Sequence, residues 1–114
     1  MTSMAFTVKF SEQAADDLDE ILRYISEELY NPQAAGRFYE AVGKKLGLLR
    51  EQPHMFPLYH DEKLSAEGFH AAIIGNFLLF YLVDDDNSLV NIARILYGKR
   101  DIPAVFGGFP SERN

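Results

Sequence analysis

Three apolar segments follow one another in the second half of the chain with no helical pattern between them, and this succession restricts the fold more than any other feature. They span residues 69–74, 77–83 and 89–97. Gly75-Asn76 separates the first two segments, and such a pair favours a tight hairpin turn. The run from Asp84 to Ser88 separates the last two and is rich in turn-forming residues. The sequence therefore predicts a meander of three antiparallel strands.

Two amphipathic helices are predicted before this meander. Apolar residues recur at helical spacing over residues 14–29 and again over 35–49, and each series forms a single stripe. Ser11 is a suitable N-cap for the first helix. Asn31-Pro32 is typical of the start of the second, because proline is tolerated at the first helical position. The short connection predicts that the two helices form an antiparallel hairpin.

A further strand is predicted at the start of the chain, where Phe6, Val8 and Phe10 alternate with polar residues. Residues 52–68 hold two prolines and no sustained period, and they are predicted to be a connecting segment. Runs of like elements indicate an α+β fold of order β-α-α-β-β-β. We expect an antiparallel four-stranded twisted sheet, with the helical hairpin packed on one face and the first strand beside the last. The second face is expected to be partly open.

The composition indicates one globular domain. The chain has 114 residues, and we expect residues 1–106 to form the domain and residues 107–114 an irregular C-terminal tail. It contains no cysteine and no apolar run near the roughly 20 residues that cross a bilayer. We therefore expect a cytoplasmic protein without membrane contact. The net charge of −6 argues against broad nucleic-acid binding, because Lys and Arg supply most of that affinity.

Cations gather at the end of the last predicted strand. Arg94 lies inside an apolar segment, and Lys99 and Arg100 follow it directly after a glycine. Arg94 has two readings: an ion pair with Asp101 or with a helix carboxylate, or a cation that faces an open groove and binds a partner. Lys99 and Arg100 are either partner contacts or the solvated end of a strand.

Three aromatic side chains are candidates for an apolar binding surface, namely Tyr81, Tyr97 and Phe106. Neighbouring residues in a strand point to opposite faces, so either Phe80 or Tyr81 must leave the helix-packed side. On the open face these rings would form a floor for an amphipathic helix. The alternative is a second minor core closed by the end of the chain.

The sequence offers no metal site. His54, His60 and His70 lack the spacing of metal ligands. The run of aspartates at 84–86 is not followed by the coordinating glutamate of a calcium loop. We expect neither a metal nor another cofactor.

Three stretches resemble the RelE/ParE superfamily, the toxins of type II toxin–antitoxin pairs, which are often described as plasmid stabilisation proteins. These are VKFS entering an acidic helix at 8–11, GNFLLFYLV at 75–83 and ARILYGKRD at 93–101. The resemblance covers residues 6–106. It implies a partner antitoxin that wraps a helix and an extended segment over the toxin.

The superfamily has two main activities, and the resemblance implies different residues for each. RelE-like members cut mRNA on the ribosome with Lys, Arg and Tyr side chains. Those positions fall on His70, Ala72, Leu78 and Phe106 here, and only Arg100 is matched. ParE-like members inhibit DNA gyrase, and their last strand typically carries an Arg and ends in Gly-basic-Arg-Asp. The ARILYGKRD stretch fits this pattern, although a Tyr at 97 stands where His is common.

We therefore expect a ParE-like toxin that acts by binding a protein such as DNA gyrase and has no catalytic residues. Arg94, Lys99 and Arg100 would make the polar contacts, and Tyr81, Tyr97 and Phe106 the apolar ones. Nucleic acid would be reached only through the antitoxin. The alternatives are a ribosome-dependent mRNA endonuclease, using Arg100 with His70 or His60, and a member that binds antitoxin without being toxic.

Overall fold

A computed structural model of the chain describes residues 5–107. Its elements in chain order are β1 (Thr7–Phe10), α1 (Glu12–Arg23), a π-helical turn (Tyr24–Glu28), α2 (Pro32–Glu51), α3 (Glu62–Ala66), β2 (His70–Ile74), β3 (Phe77–Asp84), β4 (Leu89–Tyr97) and α4 (Ile102–Gly107). The predicted tail lies outside the described residues apart from Gly107, which ends α4. No described helix has the length and apolar character needed to span a membrane.

The four strands form one sheet in the order β1-β4-β3-β2, so the first strand lies beside the last as predicted. The meander β2-β3-β4 is antiparallel. However, β1 runs parallel to β4, with Thr7 opposite Leu89, so the prediction of an all-antiparallel sheet was wrong at this pair. The cause lies in the direction of α1, which continues along β4 instead of folding back on β1: Ser11 contacts Ala93 and Asp17 contacts Ile95. α2 then returns, so that its Arg50 carbonyl accepts from the Phe6 N–H at 2.9 Å, and β2 begins from that end.

The helical hairpin begins at the predicted caps and covers one face of the sheet. The Ser11 hydroxyl accepts a hydrogen bond from the Ala14 N–H at 3.0 Å, and the Asn31 side chain accepts one from Ala34 at 3.0 Å. Such caps satisfy backbone donors that the first helical turn leaves free. The main core between hairpin and sheet consists of Ala14, Ile21, Val42, Leu49, Ala72, Ile74, Leu79, Tyr81, Val90, Ile92 and Ile95.

The opposite face of the sheet carries a second, smaller core. Leu64 from α3 and Ile102 from α4 pack there on Phe80 and Leu96. The sequence did not predict either short helix, because neither is long enough to show a periodic apolar stripe. The second face is therefore largely closed, which agrees with the alternative prediction of a second minor core. Ile73, near the edge of this face, remains exposed.

The β2–β3 turn is packed tightly against the end of β4. Gly75 has a φ of +59°, a conformation that glycine adopts at little cost. The Gly98 N–H donates to the Asn76 carbonyl at 2.8 Å, and a Cβ at position 98 would lie 3.2 Å from the same oxygen. This contact fixes the point at which the chain leaves the sheet, just before Lys99 and Arg100.

Candidate functional site

The second half of β4 is bordered by α1 rather than by a strand. β1 ends at Phe10, opposite Ile92, and leaves the outer edge of β4 unpaired from Ala93 onward. The Ser11 hydroxyl donates to the Ala93 carbonyl at 2.9 Å. The Asp17 carboxylate accepts from the Ile95 N–H at 2.9 Å. The N-cap of α1 and a side chain from the middle of this helix therefore satisfy backbone groups that would otherwise lack a partner.

Arg94 is held by the same carboxylate. Its Nε donates to one Asp17 oxygen at 2.8 Å and its Nη2 donates to the other at 3.0 Å. The Arg94 side chain is 20% exposed and that of Asp17 is 12% exposed. The hydrogen bonds that Arg94 donates to Asp17 raise the pKa of Arg94 above its ordinary value. Of the two readings of Arg94, the structure favours the ion pair with a helix carboxylate, and the guanidinium is not directed at a free surface.

Lys99 and Arg100 lie on the surface at the exit of β4. Both side chains are exposed, and the Arg100 backbone N–H donates to the Tyr97 carbonyl at 3.1 Å in the turn. Within residues 5–107, neither cation has a carboxylate within 4.0 Å. These two of the three predicted cations are therefore available to a partner.

Tyr81 lies in the main core instead of on an open face. Its side chain is fully buried, and its hydroxyl donates to the Pro53 carbonyl at 2.9 Å. The ring stacks on His70 at 5.0 Å, and His70 in turn donates from Nδ1 to the Phe56 carbonyl at 2.7 Å. Burial raises the pKa of Tyr81 to about 12. This placement corrects the expectation that Tyr81 lines a surface, because its contacts anchor the connecting segment.

Phe106 belongs to the smaller core. Its ring lies 4.9 Å from that of Phe69 and 5.1 Å from that of Phe80. The side chain is half-buried, so α4 uses it mainly to cover the sheet. The expectation that Phe106 forms part of an open floor is corrected in the same way as that for Tyr81.

Tyr97 is exposed, but on the side of the helical hairpin. Its ring packs edge-to-face on Phe77 at 5.8 Å, while its neighbour Leu96 lies in the smaller core. It lines a groove of about 740 Å³ between α1, the π-helical turn and the β2–β3 turn. The other lining residues are Asp17, Glu20, Ile21, Tyr24, Ile25, Leu29, Ala34, Asn76 and Phe77.

This groove was not predicted from the sequence, although several of its residues come from the apolar stripe noted there. Leu29 continued the apolar stripe of the first helix and was therefore expected to be buried. The π-helical turn over Tyr24–Glu28 adds a residue to the turn and rotates the residues after it, so that Leu29 is about half exposed instead of buried. Tyr24, at the start of the turn, is about half exposed as well. A regular α-helical period cannot reveal such a change of phase.

The remaining titratable cluster does not form a metal site. His54 lies 2.9 Å from an Asp85 oxygen and packs against His70. Among the described residues, no three His, Asp or Glu side chains are placed to hold a metal ion.

Comparison with known proteins gives one family match and structural likenesses. The family model described as the ParE toxin of the type II toxin–antitoxin system parDE matches residues 8–102. The chromosomal ParDE toxin–antitoxin system from P. aeruginosa is similar in structure, with a TM-score of 0.66 and 18% identity, over 84% of this chain and 98% of that chain. The RelBE2 toxin–antitoxin complex from Mycobacterium tuberculosis is similar with a TM-score of 0.59 and 23% identity, over 84% of this chain and 94% of that chain. No curated protein sequence matches the chain.

Proposed function

Because this chain belongs to the ParE toxin family of type II toxin–antitoxin systems, we propose that it inhibits growth by binding a protein target, such as DNA gyrase, rather than by cutting RNA. A cognate antitoxin neutralises it. Lys99, Arg100 and Tyr97 lie together where β4 leaves the sheet, and all three are exposed. They are the polar and aromatic contacts offered to a partner.

The observation that carries this proposal is the lack, among residues 5–107, of a complete catalytic set around Arg100. Cleavage of RNA through the 2′-hydroxyl requires a proton acceptor, a proton donor and cations over the phosphate. The face of the sheet next to Arg100 instead carries the smaller apolar core of Leu64, Phe80, Leu96 and Ile102. Phe106 has no hydroxyl and cannot transfer a proton. Lys99 and Arg100 beside an apolar core are suited to binding and not to this chemistry.

His70 does not complete a site with Arg100. His70 pairs with Tyr81 at one end of the β2–β3 strand pair, whereas Ile74, four residues along β2, pairs with Phe77 at the other end. At about 3.3 Å per residue, this separates the two ends by about 13 Å along the strand. Arg100 lies beyond the Phe77 end of these strands. The His70 ring instead stacks on Tyr81, on the face of the sheet that the helices α1 and α2 cover. This geometry argues against the nuclease that pairs these two residues.

The charge of the chain favours a protein target as well. With a net charge of −6, the molecule repels ribosomal RNA at long range. The two exposed cations at the end of β4 are a local exception, which suits a specific contact on a protein surface.

The test is inducible expression of the free toxin in a bacterium, alone and with its antitoxin. We expect filamentous cells with trapped gyrase–DNA complexes, intact mRNA, and recovery when the antitoxin is expressed. Arg100→Ala should abolish growth inhibition. Lys44→Ala, which removes an exposed cation from α2, should leave it unchanged.

Three results would contradict the proposal, each in a different part. Ribosome-dependent mRNA cleavage would indicate the endonuclease. Antitoxin binding without any growth effect would indicate a member that has lost toxicity. Full toxicity of Arg100→Ala would show that the end of β4 is not the working surface.

A further inference from the structure

The groove that Tyr97 lines leaves large apolar side chains uncovered. Tyr24 is 52% exposed, Leu29 53% and Tyr97 41%, and all three border the same depression. Ile21 and Phe77 line it as well. Grouped large apolar side chains on a concave surface are typical of interaction sites, whereas single exposed ones are ordinary.

The wall formed by α1 and the π-helical turn is acidic. Glu20 lines the groove, and Glu27 and Glu28 border a depression that adjoins it. Arg23 lies in the same depression and offsets one of these three negative charges. Asp17 lines the groove too, but the ion pair described above compensates its charge. Within residues 5–107, none of the three glutamates has a cation within 4.0 Å, and we call them the acidic wall.

The opposite wall is the end of the sheet, and its outer part is basic. Asn76, Phe77 and Tyr97 line the groove there. Lys99 and Arg100 follow Tyr97 after a single glycine, whose N–H is bonded to the Asn76 carbonyl. Both cations are exposed and, as noted above, lack a carboxylate partner among the described residues. We call these two cations the basic wall.

Opposite charges on the two sides of one apolar groove make this surface complementary to itself. A two-fold axis that runs along the groove turns a second copy over, so that the acidic wall of each copy faces the basic wall of the other. The apolar side chains between the walls then face those of the second copy. Such an arrangement uses the same patch on both molecules and closes as a dimer.

We propose that this groove is the contact surface between two copies of the free chain, related by this two-fold axis, with Glu20 of each copy facing Lys99 of the other. The dimer covers Lys99 and Arg100, which the proposed function assigns to the target. It is therefore a self-inhibited form of the toxin, and this consequence alone rests on the proposed function. The contact itself rests on the surface.

The size of the surface indicates a weak dimer. A fully covered tyrosine buries about 200 Å², so the exposed fractions of Tyr24 and Tyr97 offer roughly 190 Å² per copy. A stable interface buries about 800 Å² per partner, and Leu29 and the charged walls supply only part of the remainder. We therefore expect a dissociation constant on the order of 10 µM. Toxin that is more dilute than this is mostly monomeric, and its cations are free.

The net charge of each copy does not prevent this contact. Two molecules of charge −6 repel each other at low ionic strength. At an ionic strength of about 0.15 M, exposed charges more than about 8 Å apart are largely screened. The charges that face each other across the axis then decide whether the copies associate.

Analytical ultracentrifugation tests the dimer on the purified free toxin, between about 1 and about 200 µM at about 0.15 M salt. Glu20→Lys and Lys99→Glu should each weaken association at least tenfold, because each places like charges across the axis. Asp19→Lys makes the same change of net charge as Glu20→Lys at the neighbouring exposed position, which does not line the groove. It should change the dissociation constant less than threefold.

Two combinations should restore the dimer. The doubly reversed chain, with Glu20→Lys and Lys99→Glu together, again presents a lysine to a glutamate across the axis and should associate within about threefold of the natural chain. An equimolar mixture of the two single variants should form a mixed dimer, since each copy then offers the other its complementary charge. A variant that had merely misfolded would be rescued in neither experiment.

Growth inhibition tests the consequence. Glu20→Lys keeps Lys99 and Arg100 but loses the dimer, so it should inhibit growth more strongly than the natural chain at equal expression. Weaker or equal inhibition would show that the dimer does not restrain the toxin.

The outcomes separate the dimer from the function. A free toxin that stays monomeric up to about 200 µM overturns the inference and leaves the proposed function standing. A dimer that is insensitive to both charge reversals, or that the mixture fails to restore, uses another surface and also overturns it. If the dimer behaves as expected while no chain inhibits growth, the contact stands and the proposed function fails.

Discussion

Replacement of Asp17 by alanine should destabilise the protein more than any other change at an acidic side chain of α1. The carboxylate accepts three hydrogen bonds, two from Arg94 at 2.8 and 3.0 Å and one from the Ile95 N–H at 2.9 Å. Removal of one partner of a buried ion pair costs about 3–5 kcal/mol. Since both side chains keep some contact with water, we reduce this to about 2 kcal/mol. The unpaired N–H adds about 1 kcal/mol.

The free energy of unfolding should therefore fall by about 3 kcal/mol, a large share of the stability of a domain of this size. Urea unfolding followed by far-ultraviolet circular dichroism measures it, because the chain has no Trp for fluorescence. Asp17→Asn keeps an acceptor for Ile95 and should lose about 2 kcal/mol. Asp19→Ala, exposed on the same helix, should stay within about 0.5 kcal/mol.

A double-mutant cycle with Arg94→Ala isolates the pair, and we expect a coupling energy of about 2 kcal/mol. If Asp17→Ala costs less than about 1 kcal/mol and shows no coupling, the carboxylate does not hold the edge of β4. Arg94 would then be free for a partner, as in the binding interpretation of that residue.

Three further changes test other features. Gly43→Ala should raise the free energy of unfolding by about 0.5–1 kcal/mol in urea titrations, because a Cβ there meets nothing within 4 Å and alanine favours the helical conformation. Gly68→Ala should lower the free energy of unfolding instead, because this residue has a φ of +93°. Tyr81→Phe should cost about 1 kcal/mol at neutral pH through the lost bond to Pro53. The pKa of Tyr81 is raised to about 12 in the folded protein, so this side chain ionises first in the unfolded chain. The free energy of unfolding of the unmodified protein should therefore fall between about pH 10 and about pH 12, and that of Tyr81→Phe should fall less steeply. Tyr30→Gly should stabilise the fold by about 1 kcal/mol by thermal unfolding, since the ring is 87% exposed and its backbone has a φ of +52°.

Local chemistry made most of the fold predictable. The caps at Ser11 and Asn31 and the turn at Gly75-Asn76 are each specified by a few neighbouring residues, and all three formed as expected. The apolar stripes of the helices and strands then correctly predicted that the helical hairpin packs on one face of the sheet. The direction of β1 was not predictable in this way, because it depends on whether α1 folds back or continues along β4, and the contacts of Ser11 and Asp17 that decide this lie about 80 residues away in the chain.

The candidate site was less predictable because its residues depend on tertiary contacts. A register shift leaves Ala93 as an extra residue, so that Phe80 lies opposite Arg94 while Tyr81 lies opposite Ile92. Such an irregularity interrupts the alternation of faces along β4 and leaves no local signal in the sequence. Tyr81 and Phe80 do lie on opposite faces, but the short helices α3 and α4 cover the second face, so both rings are buried.

The parallel pairing of β1 with β4 has a consequence for the newly made chain. Thr7 pairs with Leu89, which is synthesised 82 residues later, and Ser11 and Asp17 find their backbone partners only at Ala93 and Ile95. Contacts between such distant segments form late and slowly. A nascent polypeptide therefore lacks a finished sheet until its last strand has left the ribosome, and translation itself delays the moment at which the toxin becomes active.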